Sequence, residues 1–574
     1  MFRKNTKHLQ PALISAASEL PKKQLKLLKG SWANSFYEDF FCLIDEEGFS
    51  DLYSDEPSRP NVPVNVLVGL EVMKSGFGWS DEDLYENFCF NLQVRYALGY
   101  DRLGDGEFAI RTLYYFRERL SKHYLETGEN LLEQAFKQIT DTQIHNLQVR
   151  TGMQRMDSTQ IASNIVNASR LQLLVEAIQR VHRILGERDR ERLADSFAPY
   201  LKGTAGQYTY RVKGKTALEE HFQQIGVTIH NLLKELKNEY AEEPAYQILE
   251  RIFAEQFKLI EGQIFTKENR ELGSDCLQSV DDLEASYRIK GNTHYKGYVA
   301  NLTETCDPEN ELQLITNVQV APNNIDDTQL LEEALPELEK RTEIETLYTD
   351  GGYGSPETDE TLVEKDIQQI QTAIRGRKPS SEKLHLSDFE IKQTKEGKPT
   401  QITCPQGQKV KVQLSNQRKS FVAHFELDDC QTCPYAQACP AKPGKRDPRR
   451  HLRFTQKQTN VAQRRRRSQI YLEEGRNLRA AVEATVRQVK HPFPASKLPV
   501  RGQFRVTCMV IGSAIMSNIK RIQKHRALKL EKTDDKNPQI EQESIQPSSF
   551  RSFLTNFISM FSHPITRRTG VLCC

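Results

Sequence analysis

Two aspartates follow segments that have the pattern of buried strands, and small or polar residues come directly after each. Asp157 occurs in RMDSTQIA and Asp350 in YTDGGYG. A strand that ends in Asp presents a carboxylate at the edge of a sheet, where solvent and a ligand can reach it. Gly351 and Gly352 lack side chains, so they would let a phosphate-bearing ligand approach Asp350 closely. An Asp-Gly pair also makes turns, which leaves a purely structural role for Asp350 open.

A third acid, Glu483, lies in the helical pattern GRNLRAAVEATVRQVK. Arg479 and Lys490 are four and seven positions away from it, so all three side chains lie near one helix face. Such a face could hold a divalent cation through the glutamate and phosphates through the two cations. Taken alone, however, the pattern is more typical of a solvated face with ordinary ion pairs.

Considered together, the three acids indicate a more specific chemistry than any one of them alone. Carboxylates from two strand ends and a helix suit hard, oxygen-preferring cations such as Mg²⁺ or Mn²⁺. Two such ions held about 3.5–4 Å apart can activate a hydroxyl nucleophile and stabilise the leaving oxygen in phosphodiester chemistry. The set therefore predicts metal-dependent chemistry on a nucleic acid.

Four cysteines form a second constellation, in ITCPQGQ and DDCQTCPYAQACP: Cys404, Cys430, Cys433 and Cys439. A Cys-x2-Cys pair with two further cysteines suits a tetrahedral Zn²⁺ site, and four protein ligands make such a site structural. The stretch between them alternates as two strands of a hairpin would. His424 could replace one thiol, and scattered free thiols in a reducing compartment are the alternative interpretation.

The chain becomes strongly basic after this cluster. Between Ala441 and Ile470 there are eleven Lys or Arg residues and one Asp. Such a block can neutralise DNA phosphates without reading sequence, although a solvated basic face is the common alternative. The predicted phosphate contacts in the block are Arg449, Arg450, Arg464, Arg465, Arg466 and Arg467.

The whole chain can build a sizeable core around these residues. It has 574 residues, of which 38% are hydrophobic and 27% charged, and its net charge is +2. These values exclude a histone-like polycation and wholesale disorder. No apolar run is long enough for a transmembrane helix and no signal peptide is recognisable, so we expect a cytoplasmic protein.

The order of patterns predicts a mixed α/β protein. Pro63, Gly76 and Gly78 bracket one helix, Ser80 with Asp83 caps the next, and a further helix is predicted over 110–120. A strand near 151–165 is followed by a helical block without strand signals. Beyond it the pattern reads strand, strand, strand, helix, strand. The predicted divisions are a helical N-terminal domain over 1–150, a core over 151–165 and 285–528, a helical insertion over 166–284, a zinc-binding and basic insertion over 400–460, and a flexible tail over 529–574.

Several of these features resemble the DDE-type transposases of bacterial insertion sequences. The resemblance rests on MDST, YTDGGYG, the R-x3-E-x6-K helix and the N-terminal segment RPNVPVNVLVGLEVMKSGFGWSDEDLYENF, and it covers about residues 35 to 525. It implies an RNase H-like core whose catalytic acids fall on Asp157, Asp350 and Glu483. Similar transposases also carry a Cys-rich insert.

The resemblance assigns Arg479 and Lys490 to the flanking signature positions. Some relatives have Tyr three residues before that Arg, where this chain has Arg476. The departure puts the roles of the flanking residues in doubt, but not the assignment of the carboxylates. Glu473 and Glu474 are the other candidates for the third acid, although their spacing does not fit the signature.

The implied function is metal-dependent cutting of double-stranded DNA at the terminal inverted repeats of a mobile element and joining of the freed ends to target DNA. A homodimer on DNA, in the bacterial cytoplasm at the nucleoid, is expected by analogy with the family. Two alternatives stay open. One is an RNase H-like nuclease that does not join DNA, and the other is an inactive transposase kept as a DNA-binding regulator.

Overall fold

The protein is represented by a computed structural model that describes residues 1–9, 15–54, 56, 60–165, 168–201, 203, 214–372, 382–394, 397–415, 420–444, 448–473, 478, 480–490, 492–494 and 497–534. Two compact units are distinguished, Met1–His525 and Arg526–Cys574. None of the described helices is long and apolar enough to cross a membrane.

The helices of the described residues, in chain order, are α1 Lys22–Lys29, α2 Trp32–Asp39, α3 Val64–Phe77, α4 Asp81–Phe90, α5 Leu92–Ala97, α6 Arg111–Thr127, α7 Leu131–Asn146, α8 Arg170–Ile184, α9 Glu187–Arg192, α10 Ala194–Phe197, α11 Lys215–Tyr240, α12 Pro244–Gln256, α13 Asp327–Arg341, α14 Pro356–Glu364, α15 Leu427–Gln431, α16 Gln456–Glu473, α17 Ala480–Lys490 and α18 Gln503–Asp534. Short 3₁₀ helices occupy Lys7–Leu9, Phe41–Leu43, Glu46–Leu52, Ala198–Tyr200, Asn269–Glu271, Gly351–Tyr353 and Leu386–Asp388.

The strands are β1 Met153–Ile161, β2 Phe257–Ile260, β3 Gln263–Thr266, β4 Ser286–Lys290, β5 Thr293–Thr305, β6 Ile315–Pro322, β7 Thr346–Thr349, β8 Gln368–Gln371, β9 Glu390–Gln393, β10 Pro399–Thr403, β11 Lys409–Ser415, β12 Ser420–Phe425, β13 Lys442–Pro443 and β14 Arg450–Phe454. With the helices, they give the mixed α/β class that the sequence predicts.

The N-terminal helices begin and end where the sequence indicates. Helix α3 starts after Pro63 and ends at Gly78, which adopts a left-handed conformation at φ 72°. Ser80 and Asp83 form the predicted capping box at the start of α4. Gly76 is not the exit from α3 but a packing position, because a Cβ there would lie 2.3 Å from the side chain of Met516. The helix predicted over 110–120 extends further, to Thr127.

A central sheet combines antiparallel and parallel pairing. Its main part has the order β6-β5-β1-β7-β8, with β4 paired to the beginning of β5. Strands β6, β5 and β1 are antiparallel neighbours, whereas β1, β7 and β8 run parallel. Helix α13 crosses from β6 to β7. The pattern strand, strand, strand, helix, strand is therefore present, with one further parallel strand at the edge.

The block between β1 and β4 is mainly helical. Helices α8, α11 and α12 bury one shared apolar cluster that includes Leu174, Ile229 and Leu249. The prediction that this block contains no strand is wrong, because β2 and β3 form an antiparallel hairpin at its end. Gly226 of α11 allows that hairpin to pack closely, since a Cβ would lie 2.7 Å from the ring of Phe257.

A second sheet holds the Cys-rich stretch. Its strand order is β13-β14-β12-β11-β10-β9, with antiparallel pairing throughout. The predicted hairpin between the cysteines is formed by β11 and β12. Helix α16 packs its Ala462 into the apolar cluster under this sheet.

The central sheet, the N-terminal helices and α18 share one apolar core. Leu302 of β5, Leu70 of α3 and Val510 of α18 belong to the same buried cluster, as do Val486 and Val489 of α17. Residues from the two ends of the sequence therefore pack against the same face of the sheet. That face also carries Asp157, because Asp157 and Leu302 are directly paired across β1 and β5.

Candidate active site

Strands β1 and β7 bring the two predicted aspartates together. Their parallel register pairs Gln154 with Leu347 and Arg155 with Tyr348. The pairing ends there, and Asp157 and Asp350 each follow two residues later, with Asp350 one residue past the end of β7. Continued over those two residues, the alternation of side chains puts Asp157 and Asp350 on the same face of two strands about 4.8 Å apart. Asp157 is not at a strand end as predicted, because β1 continues to Ile161 in its pairing with β5. Asp157 is 8% exposed, and Asp350 is partly exposed.

Asp350 has a local structural role as well. Its Oδ1 accepts a hydrogen bond of 2.7 Å from the backbone N–H of Gly352 and so caps the 3₁₀ turn Gly351–Tyr353. The turn role and the position beside Asp157 are therefore compatible. Gly351 and Gly352 are both buried. This differs from the interpretation that they leave an open approach for a ligand, since their close neighbours are other parts of the chain.

Helix α17 lies over the same face of β1. The Arg155 guanidinium donates to the carbonyl of Leu478, just before the helix, at 2.5 Å. At the far end, Lys490 Nζ donates to Thr159 Oγ1 at 2.7 Å. These two contacts bracket Glu483, which is exposed and follows Leu478 by a little more than one helical turn. The helix therefore carries Glu483 along the stretch of β1 that contains Asp157.

Lys490, the second cation of the predicted signature, lies at the end of α17 beside Thr159 of β1. Burial and the nearby charge of Lys290 lower the pKa of the Lys490 ammonium. Arg479, with which it was paired in the prediction, lies outside the described residues, as do Arg476, Glu474 and the side chain of Glu473.

A buried network holds α17 against the sheet. Glu304 of β5 has no exposed surface, and its two oxygens contact two arginines: Arg155 at 2.6 Å and Arg521 of α18 at 2.8 Å. The hydroxyl of Thr485 in α17 donates to the same carboxylate at 2.8 Å. The Arg521 guanidinium also donates to that hydroxyl. One carboxylate thus connects β1, β5, α17 and α18. Its contact on α17, Thr485, is two residues from Glu483.

A fourth acid, Asp327, lies on the opposite face of β1. Ser158 donates to Asp327 Oδ1 at 2.8 Å, and the neighbouring Tyr353 hydroxyl donates to Asn301 at 2.7 Å. Burial raises the pKa of Tyr353 well above its ordinary value, and the charges of Asp327, Asp157 and Asp350 raise it further. Sequence reasoning missed Asp327, because in DDTQLLEE it has the appearance of an ordinary first-turn acid of α13.

The fit of this site to a metal can be judged from its donors. In the described part of the chain, no three His, Cys, Asp or Glu side chains are close enough to hold one metal ion. The donors on the face are all carboxylate oxygens, which Mg²⁺ and Mn²⁺ prefer. Their chemistry therefore suits these ions, although the described side chains are not close enough together to share one.

The four predicted zinc ligands gather at one side of the second sheet. Cys404 follows β10, Cys430 lies in α15, and three of the thiols pack against the apolar cluster of the sheet. Burial raises the pKa of the Cys430 thiol, Arg450 opposes this, and the three other cysteines raise it further. Cys430 is therefore near the other three thiols, although the described cysteines do not form a group that could hold a metal. His424 instead contacts the ring of His451, 4.5 Å between centroids.

The basic run divides into buried and accessible residues. Arg464 is 6% exposed; its Nε lies 3.2 Å from Asp359 Oδ1, and its guanidinium lies against Gly354 in the Asp350 loop. It therefore supports the site from inside the protein rather than offering its charge to a phosphate. Arg467 faces the same carboxylate, and burial lowers its pKa.

The other arginines of the basic run differ in their hydrogen-bond partners and exposure. Arg466 donates to the carbonyl of Phe389 at 3.3 Å, and Arg450 donates to that of Ala436 at 2.8 Å. Arg450 thus fixes the loop of the cysteine cluster. Arg449 and Arg465 are partly exposed.

Two family models match the chain. One, described as a transposase DDE domain, matches residues 403–523, which include Glu483, Lys490 and all four clustered cysteines. The other, described as a transposase domain (DUF772), matches residues 28–119, from α1 into α6. Neither match reaches Asp157 or Asp350, so the positions of those two acids rest on the fold. No curated protein and no solved structure matches the chain.

Proposed function

We infer from its membership of the DDE-type transposases of insertion sequences that this chain cuts double-stranded DNA at the terminal inverted repeats of its own mobile element and joins the freed ends to target DNA. The observation that supports the proposal is the parallel register of β1 and β7, whose continuation would bring Asp157 next to Asp350, under the helix that bears Glu483.

The fold supports this assignment. Three antiparallel strands followed by two parallel ones, with the first strand central, form the arrangement expected of an RNase H-like core. We propose that the central sheet is this core and that Asp157, Asp350 and Glu483 are its catalytic acids. The first two would come from β1 and from the turn that follows β7, and the third from the helix on the same face.

The three carboxylates would hold two Mg²⁺ or Mn²⁺ ions. When bound, such ions activate a water or a 3′-hydroxyl as the nucleophile and stabilise the leaving oxygen. Asp157 and Asp350, on rigid strands, would fix the position of the scissile phosphate. Lys490 lies at the end of α17 next to this face, and with Arg479 it would hold the flanking phosphates. Hydrolysis frees a 3′-hydroxyl, which then attacks target DNA in the same site.

The Cys cluster is proposed as a structural Zn²⁺ site with Cys404, Cys430, Cys433 and Cys439 as ligands. The four thiols lie at the end of a small sheet, with Cys430 near enough to the other three for their charges to raise its pKa. Four protein ligands leave no position for a reacting water, so the ion would stabilise the sheet and take no part in cleavage.

The other partners follow from this reaction. The helices over 28–119 would help recognise the terminal repeats, and joining two element ends favours a homodimer on DNA. Arg449 and Arg465 are partly exposed and would contact phosphates. Because its proposed substrate is its own mobile element, the protein would act on DNA of the nucleoid, in the bacterial cytoplasm.

The test uses labelled duplex DNA carrying the flanks of the gene, with Mg²⁺ or Mn²⁺. We expect cuts at discrete flank positions by the intact protein and none by Asp157→Asn, with DNA binding retained. Asp327→Asn is the matched control, because its carboxylate lies near the same strands but on the opposite face. It should keep cutting.

The possible results separate the candidate functions. Transfer of the freed 3′ end into a second duplex supports the transposase, whereas cutting without transfer favours a nuclease. DNA binding with no cutting by the intact, folded protein favours the regulator. Cutting that survives in Asp157→Asn but is lost in Asp327→Asn contradicts the assignment of the site.

A further inference from the structure

A second charged surface lies outside the acidic face, in a cleft between the helical block and the β4–β5 hairpin. The cleft has a volume of about 990 Å³. Its walls include Arg170, Arg270, Arg288 and Lys296, together with His294, and none of its lining residues is acidic. This is unusual in a chain whose 79 basic and 77 acidic residues nearly balance.

Two of these cations are half-buried in the wall without an acidic partner among the described residues. Lys296 Nζ donates to the carbonyl of Ala168 at 2.9 Å, and the Arg170 guanidinium donates to the side chain and carbonyl of Gln256. Burial lowers the pKa of both groups. A cation removed from water without a counter-charge is costly, and an anion in the cleft would offset that cost.

The remaining two cations, Arg288 and Arg270, have acidic neighbours only at the edge of the cleft. Arg288 donates to the carbonyls of Asn323 and Ile325 and lies 3.5 Å from the exposed Asp326. Arg270 forms a 2.8 Å pair with Glu268, in which both side chains are well exposed. Exposed pairs of this kind are weak and exchange readily with other anions.

The hairpin that forms one wall also reaches the candidate active site. Lys290 ends β4 at the tip of the hairpin, and its charge acts on Lys490 at the end of α17. Ile289, the residue before Lys290, lines the cleft. The hairpin therefore carries cations both at the cleft and near the helix that bears Glu483.

We propose that this cleft binds the phosphodiester backbone of the DNA that extends from the cleaved phosphate, with Lys296 and Arg270 among its phosphate contacts. The proposal rests on the proposed function for the identity of the polyanion. It adds a binding surface that the acidic face and the basic run do not provide. A backbone contact would position DNA without reading its sequence.

The test measures binding rather than cutting. The full-length Asp157→Asn protein is mixed with a fluorescein-labelled duplex carrying the gene's flank, and affinity is measured by anisotropy at several salt concentrations. The test variant adds Arg270→Gln and Lys296→Gln. The control adds Arg192→Gln, which removes a charge from the same helical block where Asp189 and Glu235 already neutralise it.

Each lost phosphate contact should lower the slope of log affinity against log salt by about 0.9, which is about eightfold in affinity at 0.1 M salt. We therefore expect a drop of more than tenfold for the double variant and less than twofold for the control. Arg270→Gln alone should show part of this loss of affinity. Because the Arg270 side chain is exposed, misfolding would not explain that loss.

An unchanged slope and affinity in the folded double variant overturn the cleft proposal, whether or not the intact protein cuts DNA. A reduced slope, together with no cutting by the protein that keeps Asp157, retains the cleft as a DNA surface and overturns the proposed activity instead.

Discussion

Asp157, Asp327 and Asp350 all influence the buried Tyr353 hydroxyl, yet only two of them share a face of the sheet. The distinction comes from strand alternation, because Ser158, which contacts Asp327, is the residue next to Asp157. Closeness to Tyr353 alone would group all three aspartates as candidate ligands. The face of the sheet that α17 covers separates Asp157 and Asp350 from Asp327.

Glu483 is the proposed catalytic acid on α17, the helix that covers this face of the sheet. We expect Glu483→Gln to lower cleavage of the flank duplex by more than about 100-fold, because it removes a charge that the reaction needs while keeping the size of the side chain. DNA affinity should stay the same or rise, since a negative charge near phosphates is lost.

The matched control for this change is Arg487→Gln, one turn further along the same helix. It tests whether any change on α17 disturbs cutting. Equal cleavage by Glu483→Gln and the unchanged protein, measured in the same gel assay, would remove Glu483 from the site.

At the scale of elements, α17 is positioned by a single buried carboxylate. Glu304 contacts Arg155, Arg521 and Thr485, which belong to three different elements. Removing one partner of a buried ion pair leaves a charge without compensation and costs about 3–5 kcal/mol. Because Thr485 is two residues from Glu483, a disturbance here should also shift the acid.

We therefore expect Glu304→Gln to lower the free energy of unfolding by about 3 kcal/mol and to raise the Mn²⁺ concentration needed for half-maximal cutting. Urea unfolding and a metal titration measure the two effects. Glu309→Gln is the control, since Glu309 follows the same strand but is exposed. A Glu304→Gln protein as stable as this control contradicts the role of the network.

Helix α14 carries a second buried acid, beneath the Asp350 loop. Burial raises the pKa of Asp359 to about 6, although Arg464 and Arg467 lower it. The neutral form is therefore favoured in the folded state relative to the unfolded chain, whose carboxyl titrates near 3.8. Its contribution to stability is complete below about pH 4 and is lost as the pH rises through about 6.

Asp359→Asn should remove this dependence. We expect the Tm of the variant, relative to that of the unchanged protein, to rise between pH 4 and pH 7. Scanning calorimetry across this range gives the difference. Glu364→Gln, an exposed change on the same helix, should follow the unchanged protein at every pH. A constant difference for Asp359→Asn would show that its ionisation is not linked to folding.

At the scale of the whole molecule, the two ends of the sequence are joined in one core. Helix α18 packs Met516 against Gly76 of α3, and the same cluster includes Leu302 of the central sheet. The N-terminal helices are thus attached to the element that follows Glu483. Any DNA end bound by those helices would be held at a fixed place relative to the candidate active site.

The small second sheet is the part of the molecule that a metal would stabilise. We expect the purified protein to contain about one equivalent of zinc and Cys433→Ser to contain none, with a lower Tm for the latter, because metal binding energy contributes to folding. Elemental analysis and thermal unfolding measure these quantities.

Cys89→Ser is the control for the zinc measurement, since Cys89 lies in α4, far along the chain from the cluster. It should keep its zinc. A Cys433→Ser protein that retains one equivalent, or an unchanged protein that has none, contradicts the proposed ligand set.

The sequence by itself determined what is local. Helix caps such as Ser80 with Asp83, and the β11–β12 hairpin, depend on residues a few positions apart, so their patterns are visible in one stretch of chain. The chemistry of the candidate ligands, carboxylate oxygen or thiolate sulfur, is likewise fixed by residue type.

Only the tertiary structure decided which of these residues meet. The register between β1 and β7, on which the proposed juxtaposition of Asp157 and Asp350 depends, joins segments nearly two hundred positions apart, and nothing in either segment specifies it. The burial of Arg464, which looks like a DNA contact in the run of four arginines, depends on Asp359 in another helix. Burial and pairing are properties of the partners that folding brings together, so a pattern confined to one segment cannot contain them.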